Sequence, residues 1–142
     1  MKARLELTNE EYQSAKKSFG NIYLLFTSGD NIPQRYVDTV LKWGAQLEIT
    51  DEELRTIIRK REKRQFTIPE KEEAIDQLFD LVYMIYLDNV VEDVELEVTM
   101  NYAAELGFEP YVVGDFLKAI IAGQSDGIDR RQLKEELKKG LL

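Results

Sequence analysis

Residues 67–87 read TIPEKEEAIDQLFDLVYMIYL, and the fold turns on whether this stretch is a strand or a helix. Its last seven residues, Leu81 to Leu87, are apolar without a break. Taken alone, such a run fits a buried strand as well as a helix enclosed on every side. The residues before it settle the matter. Ile75, Leu78, Phe79, Val82 and Tyr86 recur at helical spacing, and the pattern extends back to Thr67, which with Glu70 has the spacing of a capping box. No turn residue intervenes. The stretch is expected to form a central helix over 69–87, packed on several sides.

Outward from that helix, start and stop signals divide the chain into about seven helical segments. They fall near 9–27, 33–47, 51–64, 69–87, 92–106, 110–122 and 129–139. Thr8 with Glu11 and Thr50 with Glu53 repeat the capping-box pattern, Pro33 and Pro110 suit first turns, and Asp129 can cap the last helix. No segment alternates apolar and polar residues for long enough to suggest a strand. The expected class is all-α, a single compact bundle in one domain spanning residues 1–142.

No Pro/Gly/Ser linker divides the chain, and the longest connection, Ala122 to Asp129 with Gly123 and Gly127, places the last helix at the periphery. That helix carries Lys134, Lys138 and Lys139 together with Leu133, Leu137, Leu141 and Leu142, so it is expected to dock on the core or on a partner. A shift of 59 residues aligns Ile22 to Ile58 with Leu81 to Leu117, setting Trp43 on Tyr102, Ala45 on Ala104 and Leu47 on Leu106. This is a weak internal pseudo-two-fold echo, and similarity between any two amphipathic hairpins also accounts for it.

Composition excludes a good deal of chemistry. The chain has neither Cys nor His, which removes disulfides, thiol nucleophiles, zinc fingers and imidazole bases, leaving hard oxygen donors as the only metal ligands. No apolar run has the length of a membrane span and no signal-peptide core follows Met1, so a cytoplasmic location is expected.

The net charge of −8 is unevenly spread. Glu70 to Asp115 holds 13 acidic residues and one basic residue, Lys71, whereas the remainder holds 14 acidic and 18 basic. Such an acidic segment repels nucleic acid and suits a basic protein surface. The cluster Arg55, Arg59, Lys60, Arg61, Lys63 and Arg64 lacks interleaved aromatics and reads as a solvated helix end. Tyr83, Tyr86, Tyr102 and Tyr111 read as core or partly buried aromatics rather than a base-stacking platform.

One acid stands apart. Glu95 occupies the otherwise apolar face formed by Val91, Val98, Tyr102 and Leu106, seven residues after Asp88. A carboxylate there needs a hydrogen-bond donor or a cation. Two accounts remain open. In the structural one, Asp88 accepts backbone N–H bonds from the turn and Glu95 reaches back to the orphan donors of its own helix start. In the other, Asp88, Glu92 and Glu95 converge on Ca²⁺ or Mg²⁺.

The pattern Asp88, Val91, Glu95, Leu106 and Gly107 resembles the TerB-like domain, named for a tellurite-resistance protein. In that family an apolar helix ends in Asp-Gly, a Glu follows seven positions after the Asp, and a Leu-Gly comes later. The resemblance covers roughly Leu78 to Leu117. Asn89 replaces the usual Gly and Glu92 the usual short cap. The resemblance implies a helical bundle, a divalent-cation site at Asp88 and Glu95, and a role in stress or tellurite resistance.

The stretch Asp126, Gly127, Ile128, Asp129 fails as an EF-hand because Ile128 follows Gly127 directly, so it reads as a turn and a cap. The expected function is a non-catalytic interaction module with an acidic surface. The alternatives are a self-associating protein that swaps its last helix, or a carboxylate-based metal-dependent hydrolase. The hydrolase has no nucleophile or phosphate-loop signature to support it.

Overall fold

The computed structural model describes residues 8–28, 31–59, 68–86 and 91–141. Seven helices make up the described residues: α1 Asn9–Ser28, α2 Gln34–Gln46, α3 Asp51–Arg59, α4 Lys71–Tyr86, α5 Asp93–Glu105, α6 Tyr111–Asp126 and α7 Arg130–Leu141. The class is all-α, and among the described residues there is no strand.

Local signals set most of the boundaries. Thr8 and Glu11 exchange side chain to backbone bonds in both directions, at 2.9 and 3.1 Å. Thr50 and Glu53 do the same at 3.2 and 3.1 Å, so α1 and α3 each begin at a closed capping box. The third expected box, at Thr67, lies outside the described residues, as do positions 60–64 of the third expected helix and Leu87 of the fourth.

Three helices end in the same reverse turn. The N–H groups of Ile49, Phe108 and Ile128 return to the carbonyls of Gly44, Ala103 and Gly123 at 3.0, 2.9 and 2.8 Å. The residue before each has positive φ: Glu48, Gly107 and Gly127.

Two expectations need correction. Helix α6 does not stop at 122 but continues through Gly123 to Asp126. Gly123 is a packing position rather than a breaker, because a Cβ there would come within 3.1 Å of Leu133 Cδ2. The turn falls at Gly127 instead, with φ +72°. Tyr111 is neither core nor partly buried but 67% exposed, since Val112, Val113 and Phe116 take the inward positions of α6.

The core forms around α4, in which Ala74, Ile75, Leu78, Phe79, Leu81, Val82, Tyr83, Met84 and Ile85 are all buried. Helices α1, α5, α6 and α7 each pack against it, while α2 bridges α1 and α5, and α3 lies on α1. One hydrophobic cluster draws on every described helix, down to Leu133, Leu137 and Leu141 of α7. Inside it Asn21, Gln77 and Tyr102 form a closed polar triangle. Asn21 Nδ2 donates to Gln77 Oε1 and to the Tyr102 hydroxyl, both at 3.0 Å, and that hydroxyl donates to Gln77 at 2.6 Å. These bonds tie α1, α4 and α5 together in one register. No described helix is long and apolar enough to cross a membrane.

Candidate functional site

Two carboxylates stand out, one fully buried and one largely so. The first is Glu95. It lies in the first turn of α5, faces inward beside Val98 and Tyr102, and is fully buried. Its Oε1 accepts the backbone N–H of Glu92 at 3.0 Å, closing the start of its own helix. Its Oε2 accepts the indole N–H of Trp43 on α2 at 2.7 Å.

Lys42, next to that tryptophan, places its ammonium 3.7 Å from Glu95 Oε2 and also pairs with the carboxylate of Glu92. Glu92 itself is exposed, caps α5 in an extended conformation, and shares Lys42 with the buried acid. An ammonium group thus serves both carboxylates. Asp88, the remaining acid of the expected cation site, lies outside the described residues. Among the described residues no group of three or more Asp or Glu side chains is arranged to hold a metal ion.

The second carboxylate is Asp80, which the sequence reading passed over. Acids at positions 72, 76 and 80 fall four residues apart, forming a ladder along one edge of α4. Helix α7 lies along this edge and meets it with lysines that are also four residues apart. Lys134 Nζ is 3.2 Å from Asp80 Oδ1 and 3.7 Å from Asp76. Lys138 Nζ is 2.9 Å from Asp76 and 3.5 Å from Glu72.

Two hydroxyls of α1 complete the Asp80 environment: Ser14 and Ser18 both donate to Oδ2, at 2.8 and 2.9 Å. The Lys134 ammonium also stands 5.3 Å from the centre of the Phe79 ring. Ammonium, carboxylate, hydroxyls and ring together form a cage. Beside it opens a cleft of about 360 Å³, lined in part by Ser14, Phe79, Asp80, Tyr83, Arg131 and Lys134.

The electrostatics reflect this enclosure. Burial pushes the Asp80 carboxyl above its ordinary value, although Lys134 and the two serine hydroxyls pull the other way. For Lys138, burial works to lower the ammonium pKa. The hydrogen bond and charge of Asp76, with Glu135 and Glu72 adding to them, outweigh burial and leave it above its ordinary value. The seam between α4 and α7 is therefore held by opposite charges that are only partly withdrawn from water.

The sequence did contain a signal for some of the missed partners. A lone tryptophan on a core face needs an acceptor for its N–H, and Glu95 was the inward acid in want of a donor. Lysines spaced by four on α7 match acids spaced by four on α4.

No protein-family model matches this sequence, and no curated protein or solved structure matches the chain.

Proposed function

We propose that this chain is a non-catalytic interaction module of TerB-like type that takes a basic amphipathic helix on the acidic edge of α4. The observation that carries this reading is the seating of Lys134 and Lys138 on Asp80, Asp76 and Glu72. The surface already holds one helix of that chemistry, its own α7, whose leucines Leu133, Leu137 and Leu141 join the core. A partner helix with the same arrangement competes with α7 for the edge. Because α7 is tethered at high effective concentration, such a partner binds weakly until α7 is displaced. Two copies of the chain that exchange their α7 helices reproduce the same pairs in trans.

At the other site, the donors around Glu95 support the capping account over a divalent cation. Glu92 and Glu95 act there as the cap and anchor of α5, neutralised by Lys42. On this reading, millimolar Ca²⁺ or Mg²⁺ leaves the melting midpoint of the protein unchanged. A clear rise, abolished by Glu95→Gln, restores the cation site, since an ion held only by the native state must stabilise it.

The module reading is tested on the full chain carrying Lys134→Glu and Lys138→Glu, which sets like charges against the ladder and loosens α7. A fluorescent peptide of residues 128–142 is titrated against it. Saturable binding at low salt that fades as ionic strength rises supports the reading. Absence of binding to a variant that remains helical by circular dichroism removes it.

A further inference from the structure

The Asp80 cage is selective in a way that charge alone does not require. Oδ2 already accepts two hydroxyl hydrogens, from Ser14 and Ser18, and so has no lone pair left for a further donor. Only Oδ1 faces the incoming cation, and Lys134 meets it with a single nitrogen at 3.2 Å. A guanidinium gains its advantage over an ammonium by engaging both oxygens of a carboxylate side by side. Here the second oxygen is blocked. A compact ammonium, by contrast, needs one acceptor, finds a second carboxylate in Asp76 at 3.7 Å, and stands over the Phe79 ring. One rung lower the geometry is more permissive. Lys138 sits among Asp76, Glu72 and Glu135, with Glu72 and Glu135 largely exposed.

We infer that the acidic edge of α4 reads lysine rather than arginine at the Asp80 rung, and so takes helices bearing a lysine there with a second basic residue four positions later. This rests on the module reading above and narrows its partner class. Ser14 and Ser18 are positioning residues: they set the acceptor pattern of Asp80 and so the identity of the cation it accepts. The order of residues in α7 supplies the template, Leu133 before Lys134 and Leu137 before Lys138. Each of these core-packed leucines, Leu133 buried and Leu137 partly so, is followed by the lysine that reaches the ladder.

Two experiments test this. In the otherwise unaltered full chain, Lys134→Arg is expected to lower the melting midpoint by about 3 °C, and Lys138→Arg by about 1 °C or less. Ser14 lines the cleft beside Lys134, so Ser14→Ala opens Oδ2 toward that cleft. In the Ser14→Ala background the Lys134→Arg loss is expected to shrink to about a third. Equal losses in both backgrounds overturn the inference, because a purely steric penalty for arginine does not depend on that hydroxyl.

In trans, peptides of residues 128–142 with the native sequence, Lys134→Arg or Lys138→Arg are titrated against the loosened full chain. The Lys134→Arg peptide is expected to bind about tenfold more weakly and the Lys138→Arg peptide within about threefold. Equal binding of the native and Lys134→Arg peptides rejects lysine selectivity and leaves the module reading standing. Failure of every peptide rejects both. Should the loosened chain not fold, the melting cycle alone decides.

Discussion

Glu95 and Asp80 are both carboxylates largely withdrawn from water, each with fixed hydrogen-bond donors and a lysine ammonium nearby, and they differ in which partner stands closest. Glu95 draws its donors from rigid neighbours: the backbone at the start of α5 and the indole of a fully buried tryptophan. Asp80 takes two hydroxyl hydrogens from Ser14 and Ser18 of α1, and its opposite charge comes from Lys134 on α7 at 3.2 Å, closer than Lys42 comes to Glu95. The first arrangement cannot be exchanged without opening the core. On the proposed reading the second is exchanged by moving one helix, α7, at the cost of lifting Leu133 out of the core. Burial of an acid therefore does not by itself mark function; what distinguishes the two sites is that the cation of Asp80 comes from the last helix, α7, whereas that of Glu95 comes from α2.

The largest effect is expected where the partners are fixed. Glu95→Ala leaves the buried Trp43 indole and the partly buried Glu92 N–H without an acceptor, a loss of about 3–5 kcal/mol by analogy with broken buried pairs. Trp43→Phe, which removes the N–H donor and one ring of a fully buried indole, is expected to cost about 2–3 kcal/mol. Urea unfolding measures both. A cost under about 1 kcal/mol for Glu95→Ala would break the comparison, since the acid would then not anchor α5.

Lys134→Met is expected to cost about 1–2 kcal/mol at pH 7, less than the loss at Glu95 because both charges keep some contact with water. Its pH dependence sharpens the contrast. Burial raises the Asp80 pKa, so the folded protein holds that proton more tightly than the unfolded chain does. Its contribution favours folding fully below about pH 3.9 and is lost as pH rises through the folded value. Once Asp80 is protonated Lys134 keeps only the more distant Asp76, at 3.7 Å, so the Lys134→Met penalty should shrink on acidification toward pH 4. A penalty constant from pH 7 to 4 would show that Lys134 acts through packing rather than charge.

The smallest effect belongs to Lys138, whose raised pKa gives stability that is present below about pH 10.4 and lost only as pH rises through the folded value. Lys138→Met is expected to cost about 0.5–1 kcal/mol, and less in high salt.

Much of this architecture was legible in the residues. The periodicity of Ile75 to Tyr86 with the capping signals gave the all-α class, and the boundaries of α1, α2 and α5 fell within a residue of expectation. The inward direction of Glu95 followed from helical geometry alone. Gly123 misled because a glycine reads as a helix breaker until the neighbouring helix shows it to be a point of close approach. Tyr111 misled because an aromatic beside valines has no local marker of which face it takes. The Asp80 cage was hidden for a deeper reason. Its members come from α1, α4 and α7, and periodicity along one helix carries no information about which other helix covers it.

The most direct test is native-state hydrogen exchange on the full chain at low and high salt, comparing the amides of α7 with those of α5. Our account predicts that α7 amides open at distinctly lower free energy and that added salt speeds their exchange, whereas α5 amides around Glu95 exchange slowly and indifferently to salt. Amides of α7 as protected as those of α5 at both salt concentrations would contradict the claim that the acidic edge holds an exchangeable helix.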